Sequence, residues 1–147
     1  MASEMEELFE AVILDHNHAP RNFRRLEPRS HVAHAYNPLC GDRYEIHLDV
    51  EGGRVKAIGF TGNGCAVSKA SISIMTTKLS GRPIDSAREF LDSLRQLLES
   101  HGTPDERELG DLGVFGVVRG APTRVKCALL GWDSVVTELE SSNVNEV

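Results

Sequence analysis

From residue 43 to residue 50 the chain alternates without a break. Tyr44, Ile46, Leu48 and Val50 are apolar; Arg43, Glu45, His47 and Asp49 are polar. A period of two predicts a half-buried strand, with His47 on its polar face. Glu51-Gly52-Gly53-Arg54 is a hairpin turn signal. Val55 to Thr61, rich in β-branched and aromatic residues, is expected to pair antiparallel with 43–50. Elsewhere the period is helical. Ser3 and Glu6 form a capping box ahead of a stripe of Met5, Leu8, Phe9, Val12 and Ile13, and that helix is expected to stop before Pro20. Residues 19 to 39 hold three prolines and little periodicity, which predicts an extended, mostly irregular crossing segment.

From Ala66 the residues are small or apolar on nearly every side, through Val67, Ala70, Ile74, Met75 and Leu79, so this helix is expected to be buried. Gly81 suits its C′ position and Pro83 the start of the next helix, which carries Ile84, Ala87, Leu91, Leu94 and Leu98 on one face. Thr103-Pro104-Asp105-Glu106 is a second capping box, opening a short helix. A glycine-rich run to Gly120 then leads to a last helix with Val125, Ala128, Trp132, Val135 and Leu139 on its core face. The expectation is one α+β domain over residues 1–147, with a small antiparallel sheet of two to three strands packed by about five helices. Residues 141–147 are expected to fray.

Composition narrows the function classes. A net charge of −6 argues against nucleic acid or an anionic membrane as the main partner. No apolar run approaches the ~20 residues of a membrane span, and the acidic start lacks a signal-peptide pattern, so the cytoplasm is the expected location. Three cysteines, an odd number, argue against a disulfide framework there.

Each cysteine falls at a junction. Cys40 precedes the first strand. Cys65 lies between Gly62-Asn63-Gly64 and the buried helix, and Cys127 lies near the start of the last helix. If the strand conformation extends back, Cys40 and Asp42 share the core face with Tyr44, and Gly41 lets both reach one point. An unpaired carboxylate facing a core is costly, and a cation removes the cost. With Cys65 and Cys127 the donors make a tetrahedral set of three thiolates and one carboxylate. Such a set suits Zn²⁺, and its soft sulfurs also suit iron–sulfur chemistry. Other readings stand beside this one. Alone, Asp42 reads first as a hairpin cap or an ion-pair partner of Arg43 or Arg54. Cys65 reads equally as a small residue in a tight turn, and Arg124 and Lys126 as a solvated face. The histidines are scattered and receive no role.

The stretches "VILDHNHAPRNF", "NPLCGD", "GNGCAVSKASISIMT" and "RVKCALLGW" together resemble the U-type iron–sulfur cluster assembly proteins. This is the family of IscU and the NifU N-terminal domain, and the likeness is strongest to its SufU branch. IscU-type members carry a histidine immediately before the third cysteine, where this chain has Lys126. They also carry Leu-Pro-Pro-Val-Lys for a chaperone, where this chain has Gly-Ala-Pro-Thr-Arg-Val-Lys. Asn17 stands where the family usually has Tyr. The resemblance implies a SufE/NifU-like fold and a metal site of Cys40, Asp42, Cys65 and Cys127. It implies Zn²⁺ as cofactor, with iron or an iron–sulfur cluster as the alternative. It makes Cys40 the sulfur acceptor and Arg124 its cationic support. The implied activity is zinc-dependent persulfide sulfurtransfer from a cysteine desulfurase of the SufS type toward downstream cluster-assembly proteins. The alternative activity is that of an assembly scaffold.

Overall fold

The computed structural model describes residues 3–99 and 109–145, with side chains through residue 141. Helix α1 (Glu4–His18) opens where the capping box predicts, with the Ser3 hydroxyl accepting the Glu6 N–H at 3.1 Å. Three strands follow: β1 (His31–Asn37), β2 (Asp42–Glu51) and β3 (Arg54–Asn63), antiparallel in the order β1-β2-β3. Then come α2 (Ala66–Leu79), α3 (Asp85–Glu99), a 3-10 helix (Gly110–Val118) and α4 (Pro122–Asn145). The α+β architecture agrees with the expectation from the sequence: three antiparallel strands and, among the described residues, four α-helices and one 3-10 helix. No helix among them is long and apolar enough to cross a membrane.

Strand β1 lies inside the segment expected to be irregular. Its inward residues are Ala33 and Ala35, while the larger His34 and Tyr36 point outward, so the usual contrast between apolar and polar positions is inverted in size. Small inward residues let α4 pack closely against β1. The glycine-rich run is also ordered. In the 3-10 helix Leu112, Phe115 and Val118 recur every three residues, and with Leu109 just before it they are buried. Three residues per turn puts them in one stripe, and Phe115 meets Phe9 of α1 edge-on at 5.7 Å. Helix α4 continues beyond Glu140 to Asn145, past the expected fraying point. The capping box at Thr103 lies outside the described residues.

The inner face of the sheet, with Tyr44, Ile46, Leu48, Ile58 and Phe60, forms one hydrophobic cluster with α2, α3 and α4. Helices α2 and α4 are tied by the Ser71 hydroxyl, which donates to the Ala128 carbonyl at 2.6 Å. His47 departs from its expected exposure. It is buried, its Nδ1 accepting the Leu26 N–H at 3.2 Å and its Nε2 lying 3.1 Å from Glu45 Oε1, because the segment after α1 folds over that end of the sheet.

Candidate metal centre

Asn37 pairs with Asp42 across the β1–β2 ladder, so residues 38–41 form a four-residue hairpin loop, and Cys40 sits in it. The Asn37 side chain accepts the Leu39 N–H at 3.1 Å, and its carbonyl accepts the Cys40 N–H at 3.3 Å. Gly41 then takes φ +70°, a left-handed conformation that a side chain disfavours. The strand therefore does not extend back to Cys40. The loop, rather than strand parity, brings that half-exposed thiol to the inner side.

Asp42 is the first residue of β2 and shares the inner face with Tyr44 and Ile46; it is fully buried. Its two oxygens have separate duties. Oδ1 accepts the Cys65 N–H at 2.7 Å and the Ser68 hydroxyl at 3.2 Å. Oδ2 faces Cys127 Sγ at 3.5 Å. Tyr44 supports this from below, its hydroxyl 2.9 Å from Ser68 Oγ; burial pushes the Tyr44 hydroxyl pKa well above its ordinary value. Gly64 closes the carboxylate from the other side: a Cβ there would stand 2.5 Å from Asp42 Oδ1. Gly64 thus supplies close approach.

Cys65 is the N-cap of α2, its sulfur accepting the Ser68 N–H at 3.4 Å. Cys127 enters from α4, with 2% of its surface exposed, and its sulfur lies 3.7 Å from Cys40 Sγ. Burial pushes the Cys127 thiol up, and the neighbouring Cys65 and Cys40 thiols and the Asp42 carboxylate push the same way. A buried thiol whose surroundings disfavour its deprotonation in this way is one whose thiolate a cation would stabilise.

The ligand atoms of Cys40, Asp42 and Cys127 all lie within 4.8 Å of one another. Their spacing can be compared with a tetrahedral ion. Zn–S near 2.3 Å and Zn–O near 2.0 Å set a sulfur–sulfur edge of about 3.8 Å and a sulfur–oxygen edge of about 3.5 Å. The observed 3.7 and 3.5 Å match both edges. Cys65 stands beside this trio, close enough to affect the Cys127 thiol, but its sulfur is turned to the helix cap. The residues present therefore fit a thiophilic divalent metal.

Arg124 and Lys126 are exposed on the first turns of α4. Arg124 stands three residues before Cys127, on the same side of the helix. Lys126 faces a groove that also holds Tyr36 and Asn37, next to the hairpin that carries Cys40. Sequence reasoning missed the support of Asp42 by Ser68 and Tyr44. Ser68, three residues after the N-cap, was the available signal, because that position receives capping bonds.

Residues 8–139 match the family model described as NifU-like N terminal domain. The iron-sulfur cluster assembly scaffold protein IscU of Streptococcus pyogenes serotype M1 is 29% identical over 140 residues, covering 95% of this chain and 87% of that protein. The zinc-dependent sulfurtransferase SufU of Bacillus subtilis is 33% identical over 133 residues, covering 90% of each. Among solved structures, FiSufU of Fervidobacterium islandicum AW-1 superposes with a TM-score of 0.82 at 28% identity, over 90% of this chain and 97% of that one. The N-terminal part of a nitrogen-fixing NifU-like protein from Brucella abortus gives 0.83 at 25% identity, over 94% and 96%.

Proposed function

The chain belongs to the NifU-like N-terminal domain family, and from that premise we propose that it is a zinc-dependent sulfurtransferase for iron–sulfur cluster assembly. In this reading Cys40, Asp42, Cys65 and Cys127 hold the metal, and Cys40 takes persulfide sulfur from a cysteine desulfurase in the cytoplasm. The observation that carries it is the pair of edges, 3.7 Å between Cys40 and Cys127 and 3.5 Å between Cys127 and Asp42, which suit tetrahedral Zn²⁺. When bound, Zn²⁺ would keep the thiols deprotonated at neutral pH.

The residues divide the remaining work. Cys127 is buried; Cys40 and Cys65 are both part-buried, but Cys65 opens a helix with its N–H held by Asp42, whereas Cys40 rides a short hairpin loop. In this reading Cys40 is the part-buried thiol whose backbone is freest to move toward a partner's persulfide. Its sulfur attacks the terminal sulfur of that persulfide. A new S–S bond forms at Cys40, and the donor cysteine leaves as thiolate. Arg124 supplies positive charge near the approaching anion.

Assembly of a cluster on the same thiols is the second reading, favoured by relatives named as IscU scaffold proteins in Streptococcus pyogenes and Thermotoga maritima. Against it stands Lys126, which has no lone pair for a metal. Two measurements decide. Protein purified without added iron should contain one zinc per chain and no visible chromophore; a brown, iron-containing protein would favour the scaffold. Added to a cysteine desulfurase with cysteine as substrate, the chain should raise turnover and gain one sulfur on Cys40. Undiminished stimulation by Cys40→Ser would overturn the assignment.

A further inference from the structure

Asn17 lies one residue before the end of α1, and its amide nitrogen has two N–H groups, both in use. One donates to the Ile13 carbonyl of its own helix at 2.8 Å. The other crosses to α2 and donates to the Ala66 carbonyl at 2.9 Å. Ala66 is the residue immediately after Cys65. From the opposite side Asp42 Oδ1 grips the Cys65 N–H at 2.7 Å. The turn that carries Cys65 is thus held between a carboxylate of the centre and an amide outside it.

The rest of the α1–α2 junction does not depend on Asn17. His16 Nδ1 lies 2.7 Å from Ser73 Oγ, which also accepts the Arg21 N–H at 2.8 Å. Asn22 donates to Thr76 Oγ1 at 2.9 Å. These bonds sit two or more turns further along α2 and dock the helix. The Asn17 bond is the one at the cysteine end. From this we infer that Asn17 is a positioning residue for the Cys65 arm of the centre, fixing the first turn of α2 so that the Cys65 sulfur stays within reach of the other three donors. The inference rests on the reading of these four residues as metal ligands. Asn17 touches no thiol itself, so its effect passes through the Ala66 peptide.

The test uses the full chain as wild type, Asn17→Ala, Asn17→Asp and Asn17→Gln. Asp keeps the shape, loses both donors and sets a charge against two carbonyls; Gln keeps the donors on a longer arm. In metal-free protein, alkylation by iodoacetamide is followed at each cysteine by peptide mass spectrometry. Zinc affinity is measured by chelator competition, and fold stability by urea unfolding. The expected result is faster alkylation at Cys65 in the Ala and Asp variants, with Cys127 unchanged because it reports opening of the whole core. Zinc affinity should fall by about tenfold, the low end for a residue that orients a ligand, with partial recovery in Gln. Equal acceleration at Cys65 and Cys127 would mean that Asn17 only stabilises the fold, and no change at Cys65 would mean that it positions nothing; either overturns the inference. Wild-type protein that binds no zinc while the variants still expose Cys65 selectively would remove the metal reading and leave the positioning role standing.

Discussion

Replacing Asp42 separates its two oxygens. Asp42→Asn keeps an acceptor at the Oδ1 position for the Cys65 N–H and the Ser68 hydroxyl, and puts an NH₂ where Oδ2 faces Cys127. Asp42→Ala removes both. The Ser68 hydroxyl has a second acceptor, the Cys65 carbonyl at 3.0 Å, so it can turn away. Among the described residues the Cys65 N–H makes no other hydrogen bond, and Gly64 packs against the same carboxylate oxygen. An orphaned amide there costs about 1–3 kcal/mol. Metal-free Asp42→Ala should therefore unfold at lower urea than wild type by that amount, while Asp42→Asn should lie within about 1 kcal/mol, since it only weakens charge-assisted bonds to neutral ones. Zinc retention should behave differently: both variants lose the proposed oxygen ligand, so both should surrender zinc to a chelator more readily than wild type. The assay is urea unfolding in excess chelator, followed by chelator competition on the zinc-loaded proteins. If Asp42→Ala is as stable as Asp42→Asn, the carboxylate is not what satisfies the Cys65 amide. If Asp42→Asn keeps zinc as tightly as wild type, Oδ2 is not a ligand.

Gly64→Ala would press a methyl group onto Asp42 Oδ1 and the Tyr44 hydroxyl, so it should cost about 1–3 kcal/mol, read by thermal unfolding, and lower zinc content. Lys126→Ala should leave zinc at one per chain and reduce desulfurase stimulation modestly. Lys126→His adds a candidate ligand beside Cys127, so it should slow sulfur transfer or increase bound iron, and unchanged transfer without iron would show that this position does not choose between the two activities. Burial, and then the Arg21 charge, hold the His16 pKa below its ordinary 6.5, while Asp15 and Asp111 oppose this. The unfolded chain then takes up the proton first, so the contribution of His16 to stability is full above about pH 6.5 and is lost as pH falls toward the lower folded value. Unfolding midpoints measured from about pH 7.5 down to about 5.5 should drop in wild type and drop less in His16→Gln.

The elements with strong periodic contrast were legible in the sequence. The alternation of β2, the stripe of α3 and the all-round burial of α2 each match a template that burial alone dictates. Two elements were not legible, for opposite physical reasons. In β1 the buried positions are alanines and the exposed ones are larger, so side-chain size points the wrong way. In the 3-10 helix the period is three and the glycines mask it. At the site, the junction positions of the cysteines and the inward parity of Asp42 could be read directly. The route by which Cys40 arrives could not, since it depends on one left-handed glycine. Nor could the grip on Asp42, which needs side chains from β2 and α2 to meet at distances that no local pattern encodes.

Cys40 and Cys127 stand 87 residues apart in the chain, yet their sulfurs nearly touch. A metal held by both is therefore also a cross-link across most of the molecule. Closing a loop of that length removes about 4.5 kcal/mol of chain entropy from the unfolded state, on the scale that applies to disulfides. Handing Cys40 to a sulfur donor would leave a cross-link of nearly the same length, because Asp42, two residues further on, would still share that metal with Cys127. The Ser71–Ala128 bond between α2 and α4 and the apolar cluster around it tie the same elements without any metal. Redundancy of this kind would let one thiol come and go without the fold having to be rebuilt.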